Sequence, residues 1–316
     1  MALEFKLGKA TRDAYGEALV EVGQEHKNVV VLDSDLSKST KSIEFAKKFP
    51  ERFVNCGISE ANMIGMAAGF VGSGMIPFAS SFASFIMCKG FDQIRMSVAN
   101  PHLNVKLVGS HSGISLGEDG ASQQSIEDIG LACSLPQMTV LVPCDETSTK
   151  SLTHLMAKHE GPVYLRTGRP KAATIYKDGD TFEIGKAKLL RDGKDVTVIA
   201  IGLLVIEALI AADQLEAEGI SVRVVDMFCV KPIDIDMIAK CAKETGAIIT
   251  AEEHLIGAGL SGHVAQVVAQ TTPVPMEYIG IDDTYAESGK PDELLDKYGL
   301  RAKNIVDAIH KVLKRK

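Results

Sequence analysis

The sequence predicts an α/β protein with two domains and mainly parallel sheets. Three observations carry this. Short apolar, β-branched runs recur along the chain, each closing on small or polar residues. Helical patterns lie between the runs, which is the alternation that builds parallel sheets. Around residues 173–186 the pattern lapses into "ATIYKDGDTFEIGK", rich in glycine and mixed charge, and then restarts. The expected division is 1–172, a linker at 173–186, and 187–316.

In chain order, Thr11 to Gln24 reads as a helix, with Ala14, Ala18, Leu19 and Val22 at helical spacing. "NVVVLDSD" (Asn28 to Asp35) reads as a buried parallel strand. "MIPFASSF", "NVKLVGSH", "MTVLVPCD" and "GPVYLRTGRP" repeat its form. Ligands of parallel sheets bind beyond the carboxyl ends of the strands, where Asp35, Ser80, His111, Asp145 and Arg166 are expected. The second domain reads as "DVTVIAIG" strand, "LLVIEALIAADQLEAEG" helix, "ISVRVVDM" strand, "AIITAEEH" strand and a helix opening at "GLSGHVAQVVAQ".

Composition sets limits. Of 316 residues, 46% are hydrophobic and 24% charged, enough to bury a core in each domain. A net charge of −7 excludes bulk attraction to nucleic acid or an anionic membrane, so an anionic ligand needs a few local cations. The six cysteines form no C-x-x-C pair and have mostly apolar neighbours, which fits buried free thiols in a reducing compartment. No apolar signal core opens the chain, and the longest greasy stretch, Val196 to Ile206, falls short of the roughly 20 residues a membrane span needs. A soluble, cytoplasmic protein is expected.

Two stretches concentrate the chemistry. "GSHSGISLGEDGASQQSIEDI" (Gly109 to Ile129) offers a histidine, acids and two glutamines among four glycines, which let a backbone approach a ligand closely. Read structurally, it is a surface loop with a helix cap at Ser122 or Ser125. "FVNCGISEANMIGMAAGF" sets Glu60 where a strand turns into a helix, followed by the small residues Ala61, Gly65, Ala67, Ala68 and Gly69. Taken alone, a glutamate there reads more readily as a helix-capping or solvated carboxylate.

These stretches, with "SSFASFIMCKGFDQIRMS", resemble the transketolase family in order and in detail. The resemblance covers the whole chain and corresponds to the second and third domains of a full-length transketolase. It implies two three-layer α/β/α domains, a pyrimidine-binding domain and a transketolase C-terminal domain. It implies thiamine diphosphate as cofactor, with Glu60 bonding a ring nitrogen of the aminopyrimidine and Phe82 and Phe85 lining its pocket. By the same resemblance Glu60 and His111 are catalytic, and Asp35 and Ser39 lie beside the cofactor and the substrate phosphate. His111 and Arg166 meet that phosphate, and Asp119 reads a substrate hydroxyl. Gln123 stands where many members carry a catalytic histidine and animal-type members a glutamine, which cannot relay a proton as histidine does. Arg169 reads equally well as a solvated linker residue. After Phe85 the spacing departs from some members by about a residue.

The family's G-D-G signature for diphosphate and magnesium or calcium is missing from the sequence. The resemblance therefore implies the C-terminal subunit of a split transketolase of pentose phosphate chemistry, with an N-terminal partner in a two-plus-two heterotetramer. It would move a two-carbon ketol unit between ketose and aldose phosphates. The alternatives are a 2-oxoacid dehydrogenase beta subunit, a 1-deoxyxylulose-phosphate synthase-like enzyme and a non-catalytic relative. The E-D-G loop and His111 argue against the first. "AEEHLIGAGLSGHV" in the second domain hints at a metal site, but no further ligand cluster supports one.

Overall fold

The computed structural model describes residues 5–316. Its strands, in chain order, are β1 (Leu7–Ala10), β2 (Val29–Asp33), β3 (Phe53–Asn55), β4 (Ile76–Phe82), β5 (Lys106–Ser110), β6 (Thr139–Leu141), β7 (Val163–Arg166), β8 (Lys171–Ala173), β9 (Lys188–Arg191), β10 (Val196–Ala200), β11 (Val222–Asp226), β12 (Cys229–Lys231), β13 (Ile248–Leu255) and β14 (Met276–Ile281).

Seven strands form the first sheet in the order β12-β6-β7-β5-β4-β2-β3, parallel except for β12. Every residue of β2 and β5 is buried, because helices cover both faces. This is why those strands read as unbroken apolar runs. On one face lie Tyr15, Leu19, Phe45 and Leu152, and on the other Met63, Ile64, Ile86 and Ile94.

The second sheet has the order β14-β13-β10-β11-β9, parallel except for β9. The helices Leu204–Glu216 and Ala302–Leu313 pack on one face, and Ile235–Thr245 and Leu260–Thr271 lie on the other. Both domains are thus three-layer α/β/α sandwiches.

Three features depart from the expectation. First, β12 comes from the second half of the chain yet pairs antiparallel with β6, at Cys229↔Leu141 and Lys231↔Val140. One apolar cluster accordingly runs from Met63 and Ile64 through Cys133 and Leu135 to Met227, Val230 and Ile238. Second, the segment after β4 winds through π-helical turns at Phe85–Lys89 and Ile94–Ala99. A π turn takes up one extra residue, so no 3.6-residue period runs through this segment. Third, the helix after the glycine loop is Asp128–Ser134, and neither Ser122 nor Ser125 caps it. The Ser125 carbonyl instead accepts the Gly113 N–H at 2.8 Å, pinching the loop shut at its base.

Candidate active site

The site gathers at the carboxyl ends of β2, β4 and β5. Asp33, fully buried at the end of β2, accepts the Leu36 N–H at 2.6 Å and the hydroxyls of Thr40 and Ser42 at 2.7 and 2.8 Å. Burial pushes its carboxyl up, and the three donors only partly offset this. They fold the turn that follows β2. Asp35 takes a left-handed conformation there (φ 65°), exposed, with the Asn55 side chain donating to it at 2.9 Å. Ser39 faces Arg12 through its carbonyl, 3.1 Å from the guanidinium.

Glu60 opens the helix Glu60–Val71 and is 2% exposed. A helix N-terminus favours a carboxylate. Its Oε1 lies 3.2 and 3.1 Å from the hydroxyls of Ser34 and Ser81. Its Oε2 lies 3.6 Å from the Lys89 ammonium, which also stands 4.2 Å over the ring of Phe85. Phe85 stacks on Phe82 with centroids 5.5 Å apart, and Phe82 stacks on His111 at 4.0 Å. The small residues of this helix leave an open face: a Cβ added at Gly65 or Gly69 would meet nothing within 4 Å.

His111 follows β5 in a left-handed conformation (φ 57°) and is 3% exposed. A guanidinium can only donate, so the Arg12 contact at 2.8 Å makes Nε2 of the imidazole an acceptor. The proton then sits on Nδ1, which donates to the Ser110 hydroxyl at 2.9 Å, and that hydroxyl donates in turn to the Ser81 carbonyl at 3.4 Å. Burial, then Arg12, Arg169 and Lys41, push the imidazole down to about 3. His111 is therefore neutral at physiological pH, within a cluster of three cations.

The glycine loop supplies the rim. Asp119 is exposed, 4.0 Å from the Arg169 guanidinium, which also donates to the Leu116 carbonyl at 2.6 Å. The Gln123 carbonyl accepts from Ser84 at 2.9 Å. Arg166, the expected phosphate arginine, is placed otherwise. It is 4% exposed; its Nε donates to Asp128 at 2.8 Å and its Nη2 to the carbonyls of Ser125 and Glu253 at 3.1 and 3.0 Å. Burial alone would push the Asp128 carboxyl up; Arg166 outweighs it and holds the group below the usual carboxylate range. The guanidinium is thus committed to a buried pair, and the arginines that face His111 are Arg12 and Arg169.

Glu60, Phe82, Phe85 and His111 therefore form one constellation, with Ser39, Asp119 and Gln123 around it and Asp35 at its edge. Sequence reasoning missed Arg12, Ser34, Ser81 and Lys89. Arg12 left one signal: a cation in the first turn of a helix opposes the macrodipole, so it is placed there for something else. Within the E-E-H motif, Glu252 has a structural task. Glu252 caps the helix Leu260–Thr271, accepting the N–H groups of Leu260 and Ser261 at 2.7 Å each. Among the described residues no group of three or more His, Cys, Asp or Glu is placed to hold a metal ion. None of the helices described is long and apolar enough to cross a membrane.

Comparison with known proteins gives the family. Residues 8–174 match the family model "Transketolase, pyrimidine binding domain" and residues 185–305 match "Transketolase, C-terminal domain". The chain belongs to the transketolase family. A Methanocaldococcus jannaschii chain assigned as a transketolase C-terminal section is 46% identical over 310 residues, covering 97% of each chain. A 6-deoxy-6-sulfo-D-fructose transketolase subunit of Clostridium sp. is 40% identical, over 96% of this chain and 95% of that one. A solved split-gene transketolase, described as an inactive beta4 tetramer, superposes with a TM-score of 0.92 at 48% identity, over 97% of this chain and 99% of its own. Membership implies use of thiamine diphosphate and a transketolase-type enzyme.

Proposed function

We propose that this chain is the C-terminal subunit of a thiamine-diphosphate-dependent transketolase that moves a two-carbon ketol unit between ketose and aldose phosphates. The observation that carries the reading is the buried Glu60 carboxylate, aligned with the Phe82–Phe85 stack and backed by a neutral His111 beside Arg12. The pyrimidine end of the cofactor fits the residues present. Beyond the two hydroxyls at Oε1, Glu60 meets only the ammonium of Lys89, and that ammonium stands over an aromatic face. A flat ring with a nitrogen edge takes the place of such a cation readily.

When bound, thiamine diphosphate supplies the stabilised carbanion that cleaves and re-forms carbon–carbon bonds. Glu60 holds a proton at a pyrimidine nitrogen. Phe82 and Phe85 orient the ring and exclude water from that proton. Arg12 and Arg169, with His111 between them, receive the anionic end of the sugar, and Asp119 bonds a sugar hydroxyl. Each charge-assisted contact of this kind contributes about 1.5–3 kcal/mol. Diphosphate and metal fall to an N-terminal partner chain carrying G-D-G. The inactive state named for the beta4 neighbour is consistent with that division of labour.

The test is reconstitution. Mixed with a G-D-G partner chain, the protein should bind thiamine diphosphate and transfer ketol units from ketose phosphates; alone it should not. Turnover of a 2-oxoacid with an artificial electron acceptor, or of pyruvate as donor, would point instead to the dehydrogenase or synthase classes. A second reading follows from the Clostridium relative, whose name specifies a sulfo-sugar. The same cations suit a sulfonate, so 6-deoxy-6-sulfofructose belongs among the donors assayed.

A further inference from the structure

The second domain supplies no group to the chemistry proposed above, yet it packs against the first-domain loop that presents His111, Asp119 and Gln123. Glu253, near the end of β13, is 4% exposed, and its Oε1 accepts the Ser115 N–H at 2.5 Å. Its carbonyl accepts from Arg166 at 3.0 Å, and the same Arg166 nitrogen donates to the Ser125 carbonyl at 3.1 Å. One arm of the loop thus rests on the Glu253 carboxylate and the other on Arg166, which the Glu253 main-chain carbonyl holds, just where the bridge between Gly113 and Ser125 closes the loop.

The fit is tight. Gly113 is left-handed (φ 74°), and a Cβ there would lie 2.2 Å from the Glu253 carboxyl carbon, so the loop backbone lies directly against the carboxylate. Towards the tip, Gln124 donates to the Glu287 carbonyl at 3.0 Å, Ser288 donates to the Glu118 carbonyl, and a Cβ on Gly117 would lie 3.1 Å from Pro291. The seam is polar. Gln124 Oε1, Ser125 Oγ, Asp128 Oδ1 and Thr167 Oγ1 are buried along it without a hydrogen-bond partner. Ile114 and Ile126 of the loop also pack into the second domain's apolar core, and the directional bonds set the register of that packing. The bonds that fix Glu60 run instead to Ser34 and Ser81 of the first domain.

We propose that Glu253 is a positioning residue for sugar binding: through Ser115 and Arg166 it sets where His111, Asp119 and Gln123 stand relative to Glu60. His111 is two residues from Gly113, so a displacement at the carboxylate reaches the imidazole through very little chain. The proposal rests on the transketolase reading. It gives the second domain a task, the support of the substrate loop, that leaves the cofactor pocket untouched.

The test uses the protein assembled with its G-D-G partner chain and the variant Glu253→Gln, which keeps the side chain's size and removes its charge. Misplaced positioning groups typically cost up to about 100-fold, so kcat/KM for phosphorylated sugars should fall about 10- to 100-fold. The loss should lie mainly in KM, with the dissociation constant of thiamine diphosphate unchanged. Exchange of the Ser115 amide should quicken while the amides of β2 and β4 stay protected. Gly113→Ala, which drives the carboxylate away from the other side, should give the same split, and the double variant should be no worse than the poorer single. Glu253→Asp keeps the charge but retracts it from Ser115, and takes the place of the glutamine variant if that one does not fold. Unchanged KM with a freed Ser115 amide overturns the proposal. So does a parallel loss of KM, kcat, cofactor affinity and melting temperature, which marks a purely structural role. If the assembled wild-type protein binds no thiamine diphosphate, the transketolase reading fails first; slower Ser115 exchange in wild type than in Glu253→Gln would then still show the carboxylate holding the loop.

Discussion

Glu60 and Glu253 are both buried glutamates at the carboxyl edges of sheets, 2% and 4% exposed, and they differ in what they meet. Glu60 is met by two hydroxyls, which rotate, and by a half-exposed lysine, which can swing away. Glu253 is met by a backbone N–H, fixed in space, across a glycine with no room for a Cβ. A carboxylate whose partners can be exchanged keeps the capacity to take a ligand. One whose partner is main chain holds that main chain in place. Burial and residue type are the same in the two cases, so only the inventory of partners separates them.

The sharpest way to break this comparison is Glu60→Gln in the assembled enzyme. Loss of a positioned proton-transfer group should lower turnover by about 10²–10⁴-fold. The melting temperature should barely move, because the hydroxyl partners can bond an amide as well. Near-normal turnover would remove Glu60 from the chemistry.

The arginines extend the contrast. Arg166→Ala leaves Asp128 buried without its partner, and breaking such a pair costs about 3–5 kcal/mol of stability. Denaturant melts should show that loss. Arg12→Ala or Arg169→Ala should leave the melts nearly unchanged and raise KM for phosphorylated sugars, each by the equivalent of about 1.5–3 kcal/mol. Hydroxypyruvate, a donor without phosphate, should be far less affected. Equal losses with both donors would refute an anion site at these residues.

The smallest effect concerns acidity. The folded imidazole of His111 lies at about 3, below its ordinary 6.5, so the folded protein binds this proton more weakly than the unfolded chain does. The stability it contributes is complete above pH 6.5 and is lost as pH falls towards 3. Melts of His111→Gln should therefore be flatter than wild type across that window. The imidazole resonances should not titrate between pH 7 and pH 5, and Arg12→Met should move their midpoint upward. A wild-type midpoint near 6.5 would show that the imidazole is neither buried nor beside these cations as the structure places it.

Much of this was legible in the sequence, for identifiable reasons. The strands β2, β4, β5 and β10 announce themselves because sheets covered on both faces need continuous apolar runs. Glu60, Phe82, Phe85 and His111, which the structure brings together, were singled out through three stretches whose order and detail match a family. The pair that Arg166 makes was not legible because a buried pair leaves no local mark: its partner Asp128 is 38 residues away and reads as an ordinary acid at a helix start. Arg12 was missed because it belongs to the site only once β2, β5 and the first helix converge. Lys89 depends on a π turn, which no periodicity of 3.6 reveals. The short strand β12 was hidden for another reason, since three residues carry too little pattern to be told from a loop.

That short strand has a consequence for heredity. The first sheet takes its outermost strand from the other half of the chain, so β6 would show an unpaired edge, open to strand addition by other molecules, in any fragment ending at the 173–186 connection. Two domains that look exchangeable on paper thus share a border that neither owns. Recombination at this connection would bring in a foreign edge strand with every new second domain, and it would have to pair with Val140 and Leu141 before the first sheet could close. For exchange between genes, the two domains form a single unit.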